Sequence, residues 1–261
     1  MQFAIVLSVL LAGCASTTSS FEGPDDTSPV PGYSIRAMAG FRVYVANEIK
    51  NDHPGMETEA LKALKDDLNR IVESIPERAT AALRRTSIFV ENESQARPVG
   101  FTGRGAVYHP SAEWLKANGF IPEKVRSVEI SNIRDYLSWR KHQPSMVLHE
   151  LAHAYYWLVG PDLPEVKAAY ESAVASGIYE KVRYVLSEND DDLRGAYALS
   201  YVQEYFAELS EAYFGRNDFY PFVREELKVH DPKGLRAIEE VWGLRSVDHP
   251  RRAFPSPGSR N

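Results

Sequence analysis

The chain predicts an α+β fold in which a small mixed sheet supports two chemistry-bearing helices. Three observations predict it. Runs rich in β-branched and aromatic residues stand at 41–46, 86–90, 106–109 and 127–132, all before residue 133. Apolar residues at helical spacing fill 57–75 and most of the chain beyond residue 133. The span 34–250 shows no internal repeat, has the length of one domain, at most two lobes around a cleft, and 44% of the chain is hydrophobic, enough to fill a core.

The chain opens with an apolar run, Phe3 to Ala12, too short for a membrane-spanning helix, which needs about 20 residues. It fits the apolar region of a secretory signal, although no Lys or Arg precedes it. Leu11-Ala12-Gly13-Cys14 resembles the lipobox of bacterial lipoproteins, which implies cleavage before Cys14 and lipidation of it; cleavage without a lipid is the alternative. Residues 1–14 are thus expected to be a signal peptide, 15–33 a Ser/Thr/Pro/Gly-rich flexible tether, 34–250 the folded domain and 251–261 a disordered tail. The expected location is the bacterial cell envelope, anchored by lipid, or outside the cell. Cys14 is the sole cysteine, so the mature domain forms no internal disulfide. A net charge of −6 argues against a nucleic-acid partner. Lys and Arg are scattered, leaving the lipid as the only membrane contact, and a monomer is expected.

Within the domain, Phe41–Ala46 alternates as a strand, and Glu57–Ile75 is a helix through Leu61, Leu64, Leu68, Ile71 and Val72. Thr86–Val90, Ala106–His109 and Ser127–Asn132 are further strands. Ser111 caps a short helix through Trp114 and Leu115. Ile133–His142 reads as a helix leading to a second one, Ser145–Leu158, started by Pro144-Ser145 with Ser145 as its cap and stopped by Gly160-Pro161. Helices follow at Pro164–Ser176, Tyr197–Phe214, Asp218–Lys228 and, capped by Asp231, Pro232–Trp242. The acidic run Glu188–Asp192 reads as a solvated loop. The tryptophans at 114, 139, 157 and 242 are expected in the core, and His109 and His142 are structural or surface residues.

The chemistry lies in His149-Glu150-Leu151-Ala152-His153. Side chains four apart on a helix share a face, so His149 and His153 can grip one metal ion, and Glu150 can reach a water on that metal without being a ligand. This pattern serves a zinc hydrolase: two imidazoles hold Zn2+ and a carboxylate takes the proton of its water. Such a site needs a third ligand. If 197–211 is helical, Tyr197, Tyr201, Glu204, Glu208 and Glu211 fall on one face, unusual for a plain surface helix.

The two motifs together, His149-Glu150-Leu151-Ala152-His153 and, about fifty residues on, Glu204-Tyr205-Phe206-Ala207-Glu208, resemble the zinc peptidases related to the anthrax lethal factor catalytic domain, which are gluzincins. The likeness covers roughly residues 127–215. It implies a zincin-like metallopeptidase fold with Glu204 as third ligand and Glu208 orienting a ligand histidine from behind. It also implies that Tyr197, seven positions before Glu204, donates a hydrogen bond to the oxyanion, with Tyr201 as the alternative. The activity implied is peptide hydrolysis by zinc-activated water, Glu150 acting as general base. A strand near the active helix commonly forms the cleft rim in this class and pairs with an extended substrate; Ser127–Asn132 is the candidate. The alternatives are a zinc amide hydrolase acting on a cell-wall substrate and a catalytically silent surface-binding lipoprotein on the same scaffold.

Overall fold

The computed structural model describes residues 30–92, 105–160, 162–189 and 191–244. The signal peptide with Cys14, the tether up to residue 29 and the tail lie outside the described residues.

Five strands form one mixed sheet: β1 (Tyr33–Met38), β2 (Phe41–Ala46), β3 (Ile88–Val90), β4 (Ala106–Tyr108) and β5 (Val128–Ile130). Their order is β1-β2-β3-β5-β4. β1 and β4 pair antiparallel with their neighbours, and β2, β3 and β5 run parallel. Alternation along each strand sends Val43, Val45, Ile88, Val90, Val128 and Ile130 toward the helices. Tyr44 and Phe89 point the other way and stack at 4.7 Å between ring centres. β1 lies where the tether was expected to end. It is an edge strand, mostly half-buried, so its apolar alternation is weak.

The helical face is covered by α1 (Asn47–Asp52), α2 (Pro54–Ser74) and α3 (Glu77–Leu83). Beyond them come α4 (Ala112–Ala117), capped by the Ser111 hydroxyl, and α5 (Ile133–Trp139), capped by the Asn132 side chain. Asp67 of α2 accepts bonds from Tyr136 Oη at 2.5 Å and from Arg140 Nε at 2.7 Å. This buried clamp fixes the chain just before α6 (Met146–Val159).

The rest is α7 (Pro164–Ser176), the hairpin β6 (Val182–Arg183) and β7 (Leu193–Arg194), α8 (Val202–Phe214), α9 (Arg224–His230) and α10 (Pro232–Val241). Glu188, Asn189, Asp191 and Asp192 of the acidic run lie between β6 and β7, the first three exposed. α6 packs on α8 beside fully buried Ala152 and Ala207.

Several expectations need correction. Tyr197–Phe214 is not one helix. Tyr197–Leu199 is a single 3-10 turn, and Tyr201 is extended, with φ −155° and ψ 160°, before α8 begins. Ser200 belongs to a residue type that favours helix ends over interiors. Pro221 keeps 218–223 out of a helix, because its ring excludes helical geometry at the residue before it; α9 starts at Arg224. Ser145 takes the N-cap position of α6, but its side chain makes no capping bond. Its Oγ accepts from the Arg216 backbone N–H at 2.9 Å, tying the start of α6 to the end of α8. Of the tryptophans only Trp242 is buried, stacked on Tyr155 at 4.2 Å; Trp114, Trp139 and Trp157 lie on outward faces of their helices.

The expected rim strand, β5, lies inside the sheet between β3 and β4, so both its edges are occupied. Among the described residues, the sheet edge beside α6 is β4. In the antiparallel β4–β5 ladder, Ser131 N–H donates to Gly105 and His109 N–H donates to Ser127. The alternation of that ladder turns the backbone N–H and C=O groups of Ala106 and Tyr108 away from β5. A buried network braces this edge from behind. Glu129 of β5 accepts from His109 Nε2 at 2.8 Å and pairs with Lys124 Nζ at 3.0 Å, and Lys124 also pairs with Glu91 at 2.7 Å.

Candidate metal centre

α6 places His149 and His153 one turn apart, and the first turn of α8 brings Glu204 against them. Three atoms converge. His149 Nε2 lies 3.0 Å from Glu204 Oε2, His153 Nε2 lies 3.2 Å from the same oxygen, and the two Nε2 atoms are 3.1 Å apart.

With both rings neutral, as metal ligands require, hydrogen bonds leave the His149–Glu204 edge of this triangle unsatisfied. His149 Nδ1 stands 2.7 Å from Glu211 Oε1. Donation to that carboxylate leaves the Nε2 lone pair of a neutral ring facing the carboxylate oxygen of Glu204, acceptor against acceptor. If both Nε2 atoms carried protons for Glu204, the two hydrogens would crowd each other. A cation at the centre satisfies all three atoms at once. The edges are close to the ~3.3 Å separation of ligand atoms held at ~2.0–2.1 Å in tetrahedral coordination. These residues form a cluster able to hold a metal ion.

The electrostatics agree with a site built for positive charge. Burial lowers the pKa of His149, but the carboxylates of Glu204 and Glu211 outweigh burial and hold it well above the ordinary value. Burial raises that of Glu204, but the two imidazoles outweigh it and keep this carboxylate ionised far below the usual range.

Behind the triangle the expected residue gives way to a neighbour. Glu211, not Glu208, accepts from His149 Nδ1, and Gln143 Nε2 steadies the same Glu211 oxygen at 3.3 Å. Glu208 Oε1 stays 3.9 Å from His149 Nδ1, and its other oxygen accepts from Asn217 at 3.2 Å. The helix explains the choice. At about 100° per residue, seven residues end about 20° short of two turns, whereas four overshoot one turn by about 40°. Glu211 therefore sits closer to the azimuth of Glu204. Burial, then Asp218 and Glu211, push the Glu208 carboxyl well above the carboxylate range, favouring its neutral form. The spacing of Glu204 and Glu211 was the signal available in the sequence; nothing local marked Gln143.

The candidate cluster faces a cleft of about 510 Å³. Glu150 is half-buried and lines it, as does β4. Tyr197 Oη lies 3.4 Å from Glu204 Oε1, its ring 6.5 Å from that of His149. The break before α8 turns Tyr201 to the mouth, where it is 69% exposed, off the face the helical periodicity assigned to it. The geometry can hold a divalent cation with two imidazoles and one carboxylate, with a carboxylate and a phenol at hand on the cleft side. The chain matches no family model, no curated protein and no solved structure.

Proposed function

We propose that the chain is a zinc-dependent metallopeptidase of gluzincin type on a zincin-like fold. The reading is carried by the His149–His153–Glu204 triangle, in which two imidazole nitrogens and one carboxylate oxygen meet within 3.2 Å of one another. Imidazole nitrogen with a single carboxylate oxygen suits Zn2+ better than Ca2+ or Mg2+, which favour oxygen ligands.

His149, His153 and Glu204 would hold the ion. Bound there, zinc supplies a Lewis acid that lowers the pKa of a water and polarises a carbonyl. Glu150 takes a proton from the attacking water and delivers it to the leaving amine nitrogen. Tyr197, close to Glu204 at rest, donates its hydroxyl to the oxyanion. Glu211 keeps His149 in the tautomer that turns Nε2 toward the metal. The outward main-chain groups of Ala106 and Tyr108 pair with an extended peptide and lay its bond along the cleft. The substrate is then a peptide or protein, met at the cell envelope if Cys14 carries a lipid.

Zinc content and chelator-sensitive peptide hydrolysis test the reading. Wild type should hold about one zinc per chain, and Glu204→Ala should lose it along with activity. Unchanged zinc affinity in Glu204→Ala would refute the ligand set. Hydrolysis of peptidoglycan amides and not of peptides would favour the cell-wall alternative, and zinc binding with no hydrolysis would favour the silent lipoprotein.

A further inference from the structure

Two exposed aromatic side chains, Trp157 and Tyr201, line the candidate metal cleft, whereas the other exposed tryptophans, Trp114 and Trp139, lie away from it. Trp242 is 2% exposed, whereas Trp157 is 43% and Tyr201 69% exposed, and both line the metal cleft. Trp157 follows His153 by one turn on α6, and Tyr201 precedes Glu204 by three residues at the head of α8. Each of the two metal-bearing helices therefore presents an uncovered ring to the same cleft. Leaving that much apolar surface in water is unfavourable, and the surface is regained when an apolar group covers it.

We infer that Trp157 and Tyr201 form an aromatic subsite that selects a large apolar side chain of the substrate, close to the bond that is cut. This rests on the peptidase reading above. The position follows from helix rise: Trp157 lies four residues, about 6 Å, beyond His153 along α6. A strand paired with β4 advances about 3.3 Å per residue and sends alternate side chains to one face. For a substrate strand lying along α6, the selected side chain belongs about two residues from the scissile bond. Aromatic rings also stack on sugars. A peptide is favoured because the cleft is also lined by β4, an edge strand among the described residues, whose Ala106 and Tyr108 main-chain groups turn away from β5. Apolar Met146 and Val107 extend the lining.

The test has a hydrolysis arm and a binding arm. Wild type, Trp157→Ala, Tyr201→Ala and Trp139→Ala, the last an exposed tryptophan on α5 away from the cleft, are loaded with zinc and assayed on matched peptides bearing Leu, Phe, Ala or Asp near the cleaved bond. Wild type should prefer Leu or Phe over Ala by about tenfold or more in kcat/KM, the range one apolar side chain confers in a pocket. Trp157→Ala should collapse that ratio toward one and Tyr201→Ala should reduce it, while Trp139→Ala leaves it as in wild type. Zinc stoichiometry and circular dichroism establish that each variant is folded.

In the binding arm, the same peptides are titrated calorimetrically onto the Glu150→Gln protein with and without Trp157→Ala. A Trp157-dependent preference for Leu or Phe in binding supports the subsite even if no bond is cut, a result that would instead sink the peptidase reading. Equal ratios in wild type and Trp157→Ala in both arms overturn the subsite. So does Trp157-dependent binding of peptidoglycan sugar fragments with no discrimination among the peptides.

Discussion

Glu211 and Glu204 hold opposite nitrogens of one ring: Glu211 Oε1 lies 2.7 Å from His149 Nδ1, and Glu204 Oε2 lies 3.0 Å from His149 Nε2. Two turns of α8 thus fix both the tautomer and the direction of a ligand contributed by α6. Glu211→Gln, which gives an orienting carboxylate up for an amide of the same shape, should weaken zinc binding about 10–100-fold. Glu208→Gln should weaken it less. Competition with a chromophoric chelator measures both, and a larger effect at Glu208 would reverse the assignment.

Glu150 lines the cleft without belonging to the metal triangle. Glu150→Gln should therefore retain wild-type zinc stoichiometry and lower kcat by about 10²–10⁴-fold, the usual contribution of a general base. Full hydrolysis by this variant would refute the assigned role. His149→Ala and His153→Ala, by contrast, should lose metal and activity together.

Behind the rim strand, Glu129 is poised to respond to acid. Its burial raises its pKa, but His109 and Lys124 outweigh burial and hold it below the usual 4.5. A carboxylate depressed on folding stabilises the protein above its unfolded pKa, and that contribution is lost as pH falls through the folded value. Glu91 moves the other way, raised chiefly by burial. The difference between wild type and Glu129→Gln isolates Glu129. It should be about 1–3 kcal/mol near neutral pH and shrink below about pH 4.5. Urea denaturation across pH 3–7 measures it, and a difference that widened on acidification would mean that Glu129 is raised, not depressed, by folding.

The backbone N–H of Ala106 turns away from β5 on a strand that lines the cleft. A proline is tolerated where the N–H does not serve the ladder. Ala106→Pro should thus keep the fold and the zinc, yet raise KM several-fold by removing one donor to an extended substrate. An unchanged KM would indicate that substrates do not pair with β4.

Much of the site was legible because its rules are local. His149 and His153 share a face by helix geometry alone, and Met146–Val159 forms where its apolar pattern and the following glycine place it. Glu204 stood out only because a second motif accompanied the first. What stayed hidden depends on contacts distant in sequence. Choosing Glu211 over Glu208 requires the rotation of α8 about its axis relative to α6, which no run of residues encodes by itself. Among the described residues, the order β3-β5-β4 decides which strand lies at the edge beside α6, and strand order is set by chain crossovers rather than by composition. The break at Ser200 and Tyr201 removes a tyrosine from the ligand face that unbroken periodicity would have kept there. The exposed tryptophans show the same limit, since residue type reports the tendency to be buried but not the direction a helix faces.

The bond between Ser145 and the Arg216 backbone acts as a latch at the far end of the metal grip. It joins the root of the helix bearing both imidazoles to the tip of the one bearing the carboxylate, so the two arms keep a common alignment. Gly215 lies directly under this latch, where an added methyl group would strike the Ser145 side chain. On the proposed metal site, Gly215→Ala is expected to alter ion affinity from outside the cleft, about three helical turns past Glu204.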